Sequence, residues 1–284
     1  MHDPALTFDF PILNLENREQ GSRVGQRNVG HYLLLEECMH RIRCSEIWGG
    51  IMEVNGEICT SGVTASLYSR SCVGGKGGDI HYLSVCDSDL LTRIAIADVM
   101  GHGETVSTLS QWVYEAVAEE MNSLAGNHLL VKLNERIIQR GLEAMTTAAV
   151  FAYYLSNSSL YFSYAGHPPQ MIRKHHQRGW ETACLRTSTG PANLPLGVMA
   201  RVPYDQAQIP FTTGDRIFLF TDGVIEAPNA DGEEFGRDRL LAILNEAENG
   251  DQTKLKDTVL TALQSHTGGS FSHDDVTLML IEAR

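Results

Sequence analysis

From Ile58 onward the chain alternates short apolar runs with breaks rich in glycine, proline and small polar residues. The spacing of those breaks predicts strands in series and helices in pairs. ICTSGVTASLYSR, from Ile58, has strand composition and ends in the glycine-dense CVGGKGGD; LLTRIAIADV, from Leu90, is a second aliphatic strand that stops at another glycine turn. Val106, Leu109, Val113, Ala116, Val117 and Met121 recur at helical spacing, and so do Leu129, Leu133, Ile137 and Leu142. A β-meander follows: TTAAVFAYYL, the turn SNSS, LYFSYAG, the turn HPP, then QMIRK. The tract from His175 to Ala192 has little periodicity and reads mostly as loop. GDRIFLFTDG is a strand between turns, Gly236 to Glu246 and Gln252 to His266 read as helices, and DDVTLMLIE closes the chain as a strand. This is not the strict alternation of a parallel βαβ sheet. It fits an α+β fold of antiparallel sheets with helices on their outer faces.

Residues 1–55 are less legible. HYLLLEECMHRIRC, from His31 to Cys44, could form an amphipathic helix, although its apolar residues fit no single period. The stretch is too apolar for a solvated tail. Residues 1–55 are therefore expected to be a packing or regulatory segment on a domain spanning 56–284, acting on metal affinity without supplying ligands, or simply adding an element to the core.

The formal charge of −13, from 22 basic and 35 acidic residues, and the lack of any Lys/Arg run exclude a nucleic-acid footprint. The six cysteines (Cys38, Cys44, Cys59, Cys72, Cys86, Cys184) form no CxxC pair, so reduced thiols are expected. MHDPALTFDF lacks a signal-peptide pattern, and no run approaches the ~18–20 apolar residues of a membrane span. The expectation is a cytoplasmic protein with no membrane partner.

Four acidic positions share a local design: Asp79 after Gly77-Gly78, Asp98 at the end of LLTRIAIA, Asp222 before Gly223, and Asp274-Asp275 opening the last strand. A sheet fixes such a carboxylate, and the neighbouring glycine leaves room for a ligand. Oxygen donors in this pattern suit Mg2+ or Mn2+. Two such ions activate a water and clamp phosphoryl oxygens, and phosphoryl transfer asks little else of a protein. Singly, each motif is also what an ordinary turn or solvated strand end looks like. GGKGGD is no phosphate loop, because Lys76 is followed by Gly and the G-x-x-x-x-G-K spacing is absent. No G-x-S-x-G elbow competes.

Taken in order, GGD, ADVMGHG, TTAAVFAYY…LYFSYAGHPPQMI, LPLGV, GDRIFLFTDGVIEAPNADGEEFG and DDVTLMLIE resemble the SpoIIE/RsbU-like branch of the PPM (PP2C-type) metal-dependent protein phosphatases, over about residues 58–284. The resemblance implies an αββα sandwich with two divalent cations, Mn2+ or Mg2+, at one end. It implies that Asp79 and Asp98 hold the pair, that the Val99 carbonyl completes the second ion, and that Asp222 and Asp274 bind the first. Asp274 is preferred to Asp275 as the first residue of the D-[DN]-x-T pattern. The implied reaction is hydrolysis of phosphoserine or phosphothreonine by a metal-bridging water, on a phosphorylated protein such as an anti-sigma-factor antagonist. The rival is an inactive pseudo-phosphatase serving as a binding module; a third option is a small phosphoester substrate.

The match departs from the family at Ile80-His81-Tyr82, where an aromatic and an acidic residue are usual, and at Lys76, where an apolar residue is expected. Lys76 could reach a substrate phosphate as a point charge, or be a solvated turn residue. His102 could relay a proton to the leaving oxygen as a catalytic residue beside Asp98, or hydrogen-bond its loop together. A helix beginning near Thr105 would point N–H groups at the same end. The AGHPP turn is expected to hold a hairpin. His175, His176 and the stretch around Trp180 are expected on a surface loop rather than at a metal.

Overall fold

The computed structural model describes residues 40–86, 88–101, 104–121, 126–185, 192–247 and 250–284. Its strands are β1 His40–Arg41, β2 Ile47–Met52, β3 Val54–Cys59, β4 Val63–Arg70, β5 Lys76–Cys86, β6 Leu91–Val99, β7 Thr146–Tyr154, β8 Ser159–Ala165, β9 Met171–Arg173, β10 Glu181–Thr182, β11 Ala207–Pro210, β12 Arg216–Phe220 and β13 Val276–Ala283. Its helices are α1 Glu104–Met121, α2 Gly126–Arg140, α3 Asp222–Ile225, α4 Arg237–Glu246 and α5 Gln252–Thr267.

The strands form a seven-stranded sheet, β1-β3-β4-β13-β12-β9-β10, and a six-stranded sheet, β11-β8-β7-β6-β5-β2. Pairing is antiparallel except between β1 and β3. Three apolar layers follow from the side-chain alternation of the strands. Leu83, Ile94, Ile96, Phe151, Phe162, Leu219 and Met279 meet between the sheets. Ile80, Tyr82, Ala95, Ala97 and Ala148 face α1 and α2 through Val113, Val117, Leu130 and Leu133. Phe218, Phe220 and Leu278 face α4 and α5 through Leu240, Leu244, Val259 and Leu263. The expected αββα sandwich is present. Because both faces of each sheet are covered, β5 and β13 are buried almost end to end, and their sequences read as apolar runs rather than alternating ones.

Several elements differ from expectation. ICTSGVTASLYSR is a hairpin, because Thr60 Oγ1 accepts from the Gly62 and Val63 amides and turns the chain between β3 and β4. The meander breaks after β8. Pro168 and Pro169 have no N–H to donate, and the chain crosses to the other sheet, where β9 pairs with β12 and β10. Leu142 lies past α2 in a 3-10 turn and is 68% exposed, so the helical period ends before it. Trp180 is in the outer core with Phe218 instead of on a surface loop.

The boundary expected at residue 55 does not fall there. β2 is hydrogen-bonded to β5 from Ile47 to Met52, β1 pairs with Ile58 and Cys59, and Ile51 is buried under α1 and its sheet. His40 and Arg41 are strand, so the described end of the expected helix His31–Cys44 is not helical. Residues 1–39 lie outside the described residues. The described cysteines are free thiols. Among the described residues, no helix is long and apolar enough to cross a membrane.

Candidate active site

The acidic positions come together at one end of the sandwich, delivered from both sheets. Asp79 is the fourth residue of β5, rather than the tip of the preceding strand region, and its register partner across the ladder is Asp98 of β6. Asp79 is 3% exposed. Burial and the charge of Asp98 both push its carboxyl well above the usual carboxylate range, against hydrogen bonds from Thr277 and Thr221. Asp98 is driven the same way, by burial first and then by Asp222, Asp274, Asp275 and Glu226. Two acids facing each other in a sheet are mutually destabilising unless a positive charge joins them.

Asp222 follows β12 and opens α3, with its Oδ1 accepting from the Gly223 amide at 3.0 Å. The expected turn is thus one helical turn. Asp274 precedes β13 and accepts from the Asp275 amide at 2.8 Å. Burial raises both carboxyls, with the charges of Asp222 and Asp275 adding at Asp274 and His273 opposing at both. The His273 ring nitrogen Nε2 donates to the Gly223 carbonyl at 2.8 Å. Val99 is buried, and its carbonyl lies over Gly78: a Cβ there would stand 2.9 Å from it and 3.3 Å from Asp98 Oδ1. Only glycine lets the two strands carry their acids this close. Lys76 begins β5 with an exposed side chain, and its carbonyl accepts from Ser71 and Ser107 hydroxyls. His102 lies outside the described residues.

Asp275 is unlike its neighbour. It is 3% exposed, and its two oxygens accept from the backbone amides of Cys72, at 2.8 Å, and Gly78. It therefore clamps the loop before β5 to the loop before β13. Gly223 fits beside it, since a Cβ there would overlap the Asp275 carbonyl at 1.9 Å. Thr221, in the sequence a neighbour of Asp222 in the Thr-Asp-Gly turn, is fully buried, and its hydroxyl donates to Asp79 Oδ2 at 2.8 Å while accepting from the Thr277 amide at 3.1 Å. No sequence signal marks these two beyond their place next to Asp222 and Asp274.

A trio of potential ligands lies elsewhere: His175, His176 and Asp215, whose donor atoms fall within 4.8 Å of one another. Asp215 is already saturated there. It accepts from the amides of His175 and Thr212 and pairs with Lys174 at 3.1 Å, which lowers its carboxyl pKa against the effect of burial. The trio is a structural corner at the start of β12, at the other end of that strand from Asp222.

A two-sheet sandwich flanked by helices, with carboxylates from both sheets gathered at one end, defines the PP2C-type phosphatase class. Residues 88–284 match the sequence profile of Stage II sporulation protein E (SpoIIE), and the chain belongs to that family. Protein IcfG of Synechocystis sp. is 26% identical over 239 residues, covering 80% of this chain and 33% of that protein. Phosphoserine phosphatase RsbP of Bacillus subtilis is 24% identical over 197 residues, covering 67% of this chain and 45% of that protein. The chain thus spans between a third and a half of the length of these relatives. The fold matches the structure of the PP2C phosphatase domain of Bacillus subtilis SpoIIE with a TM-score of 0.62 at 16% identity, over 85% of this chain and 64% of that one.

Proposed function

We propose that the chain is a metal-dependent protein phosphatase that hydrolyses phosphoserine or phosphothreonine on a protein in bacterial signalling. The observation that carries this is the facing pair Asp79 and Asp98: a buried and a half-buried carboxylate in register, with the largest neighbouring charges on Asp98 all negative. Ordinary stability selects against such a cluster, and divalent cations are the chemistry that makes it favourable.

The donor set fits hard cations, being all oxygen: Asp79, Asp98, Asp222, Asp274 and the Val99 carbonyl. When bound, Mn2+ or Mg2+ would neutralise phosphoryl oxygens and lower the pKa of a water. The protein's own part is to hold the acids ionised and fixed. Thr221 donates to Asp79 and so favours its carboxylate form. Asp275 fixes Gly78 and, through it, the start of β5. Lys76, exposed at the start of β5, would contact a phosphate only as a point charge.

A phosphoserine substrate is supported by the relative Phosphoserine phosphatase RsbP; that the phosphoserine sits on a protein, such as an anti-sigma-factor antagonist in partner switching, is part of the proposal. The test is turnover of phosphoserine peptides and of p-nitrophenyl phosphate by the full chain, with and without Mn2+. Activity on the peptides that vanishes in EDTA and returns with Mn2+ supports the reading. Turnover that persists in EDTA removes the metal mechanism, and no turnover on either substrate despite Mn2+ binding leaves the pseudo-phosphatase.

A further inference from the structure

We infer that His167 is a positioning residue for this site: its ring ties the strand beside Asp98 to the strand leading into Asp222, and so sets the separation of the acids carried by the two sheets. The inference rests on the functional reading above.

The turn from Gly166 to Gln170 is where the chain leaves the six-stranded sheet after β8 and enters the seven-stranded sheet at β9. His167 is 4% exposed within it. Its Nε2 stands 3.1 Å from the Phe220 carbonyl and its Nδ1 stands 2.8 Å from Thr147 Oγ1. A carbonyl can only accept, so Nε2 carries the proton, and Nδ1 must then accept from the Thr147 hydroxyl. Thr147 is the register partner of Asp98 in the β6–β7 ladder. Phe220 ends β12 and is followed by Thr221, which holds Asp79, and then by Asp222. One ring therefore reaches within a register step of Asp98 and two residues of Asp222, and Thr221 between Phe220 and Asp222 holds Asp79.

The backbone of the turn also touches the six-stranded sheet, where Gly166 bridges to Ala148 of β7 and the Gln170 amide donates to the Tyr164 hydroxyl of β8 at 3.2 Å. Gln170 brackets the Phe220 peptide, accepting from its amide and donating to its carbonyl at 3.2 Å, which fastens the turn to β12. Arg237 donates to the Pro169 carbonyl and lies over the Phe220 ring, on the same side. His167 is the side chain of the turn that crosses to β7. Burial lowers its pKa to about 4, so the ring adds no positive charge near a cation site at neutral pH. A leucine would fill the space but could join neither polar group, leaving the part-buried Thr147 hydroxyl without this partner and the Phe220 carbonyl with Gln170 alone.

Donor atoms must sit within ~0.2 Å of ideal metal distances, and changing a residue that orients a ligand costs ~10–100-fold in affinity. His167 acts one residue further out, so about tenfold is expected. The experiment is calorimetric titration of the full chain with Mn2+ alone, for wild type, Asp98→Asn, Thr147→Val, His167→Ala and the double variant. The inference expects Thr147→Val and His167→Ala each to weaken Mn2+ about tenfold, with the double variant no weaker than His167→Ala, since the two groups form one link. The His167 ring 15N shifts should report a proton on Nε2. Wild-type affinity in folded Thr147→Val, which is isosteric and keeps the core, overturns the inference even if His167→Ala fails to fold. Lack of Mn2+ binding by wild type itself instead removes the functional reading on which it rests.

Discussion

Replacing Asp275 by Asn separates the clamp from the acids that would hold metal. The two oxygens of Asp275 accept from the Cys72 and Gly78 amides, which lie in a loop and strand about two hundred residues earlier in the chain. An asparagine of the same shape keeps one acceptor and turns an NH2 group toward a buried N–H. One charge-assisted bond, worth about 1.5–3 kcal/mol, is lost, and a buried amide is left unpaired. Relief of repulsion partly offsets this, because Asp275 raises the carboxyls of Asp79, Asp98 and Asp274. Asp274→Asn provides the control: it removes a charge from the same cluster, but its own bond is to the adjacent Asp275 amide. Relative to Asp274→Asn, Asp275→Asn should lose about 2–3 kcal/mol, or about 5–10 °C in melting temperature for a domain of this size. Thermal unfolding by circular dichroism in EDTA reads this without metal linkage. Equal melting temperatures for the two variants, or a higher one for Asp275→Asn, would refute the clamp and return Asp275 to the solvated acid that the sequence suggests.

Asp98→Asn and Asp222→Asn should each lower kcat by at least ~10²-fold, while melting in EDTA at neutral pH no lower than wild type. Their carboxyls are raised in the fold, so the stability they lend is present at low pH and lost as pH rises through the raised pKa; a melting temperature several degrees below wild type would contradict this. His167 has the opposite sign. Its folded pKa is about 4 against an ordinary value near 6.5, so its contribution is complete above about pH 6.5 and roughly 3 kcal/mol is lost as pH falls toward 4. Acid melting curves of His167→Gln should fall less steeply than those of wild type; His81, driven the same way by burial, cancels in the difference. Activity should survive iodoacetamide, since burial and the Asp275 charge push the Cys72 thiol up to about 11; inactivation that maps to Cys72 would exclude a water nucleophile acting alone. A chain beginning at Gly56 should fail to melt cooperatively, because it lacks β1 and β2 and bares the edge of β5; a cooperative transition like that of the full chain would contradict this.

Much of this protein is written locally. The 3.6-residue period of Val113, Val117, Leu129 and Leu133 specifies helices whichever sheet they cover, and the aliphatic runs ending in Asp98 and Asp222 specify strands that deliver acids. The α+β class of antiparallel sheets with outer helices, and the acids at strand ends, are legible for that reason, because periodicity, glycine placement and charge are properties of neighbours in sequence; the αββα sandwich and the ligand set are what the family resemblance implies. Pairing over long separations was not legible. β9 has the composition of a third meander strand, and only the other sheet's open edge at β12 decides where it goes. Residues 47–55 look like a loose preface, yet β5 needs them as its outer partner. Asp275 and Asp274 are the same residue type side by side, and what separates their roles is a backbone amide 197 residues away. Thr221 meets Asp79 across 142 residues, and His167 meets Phe220 across 53. A hydrogen-bonding side chain carries no mark of its partner in the sequence. The closing of one sheet on the other chooses it, by burying the groups that then must pair.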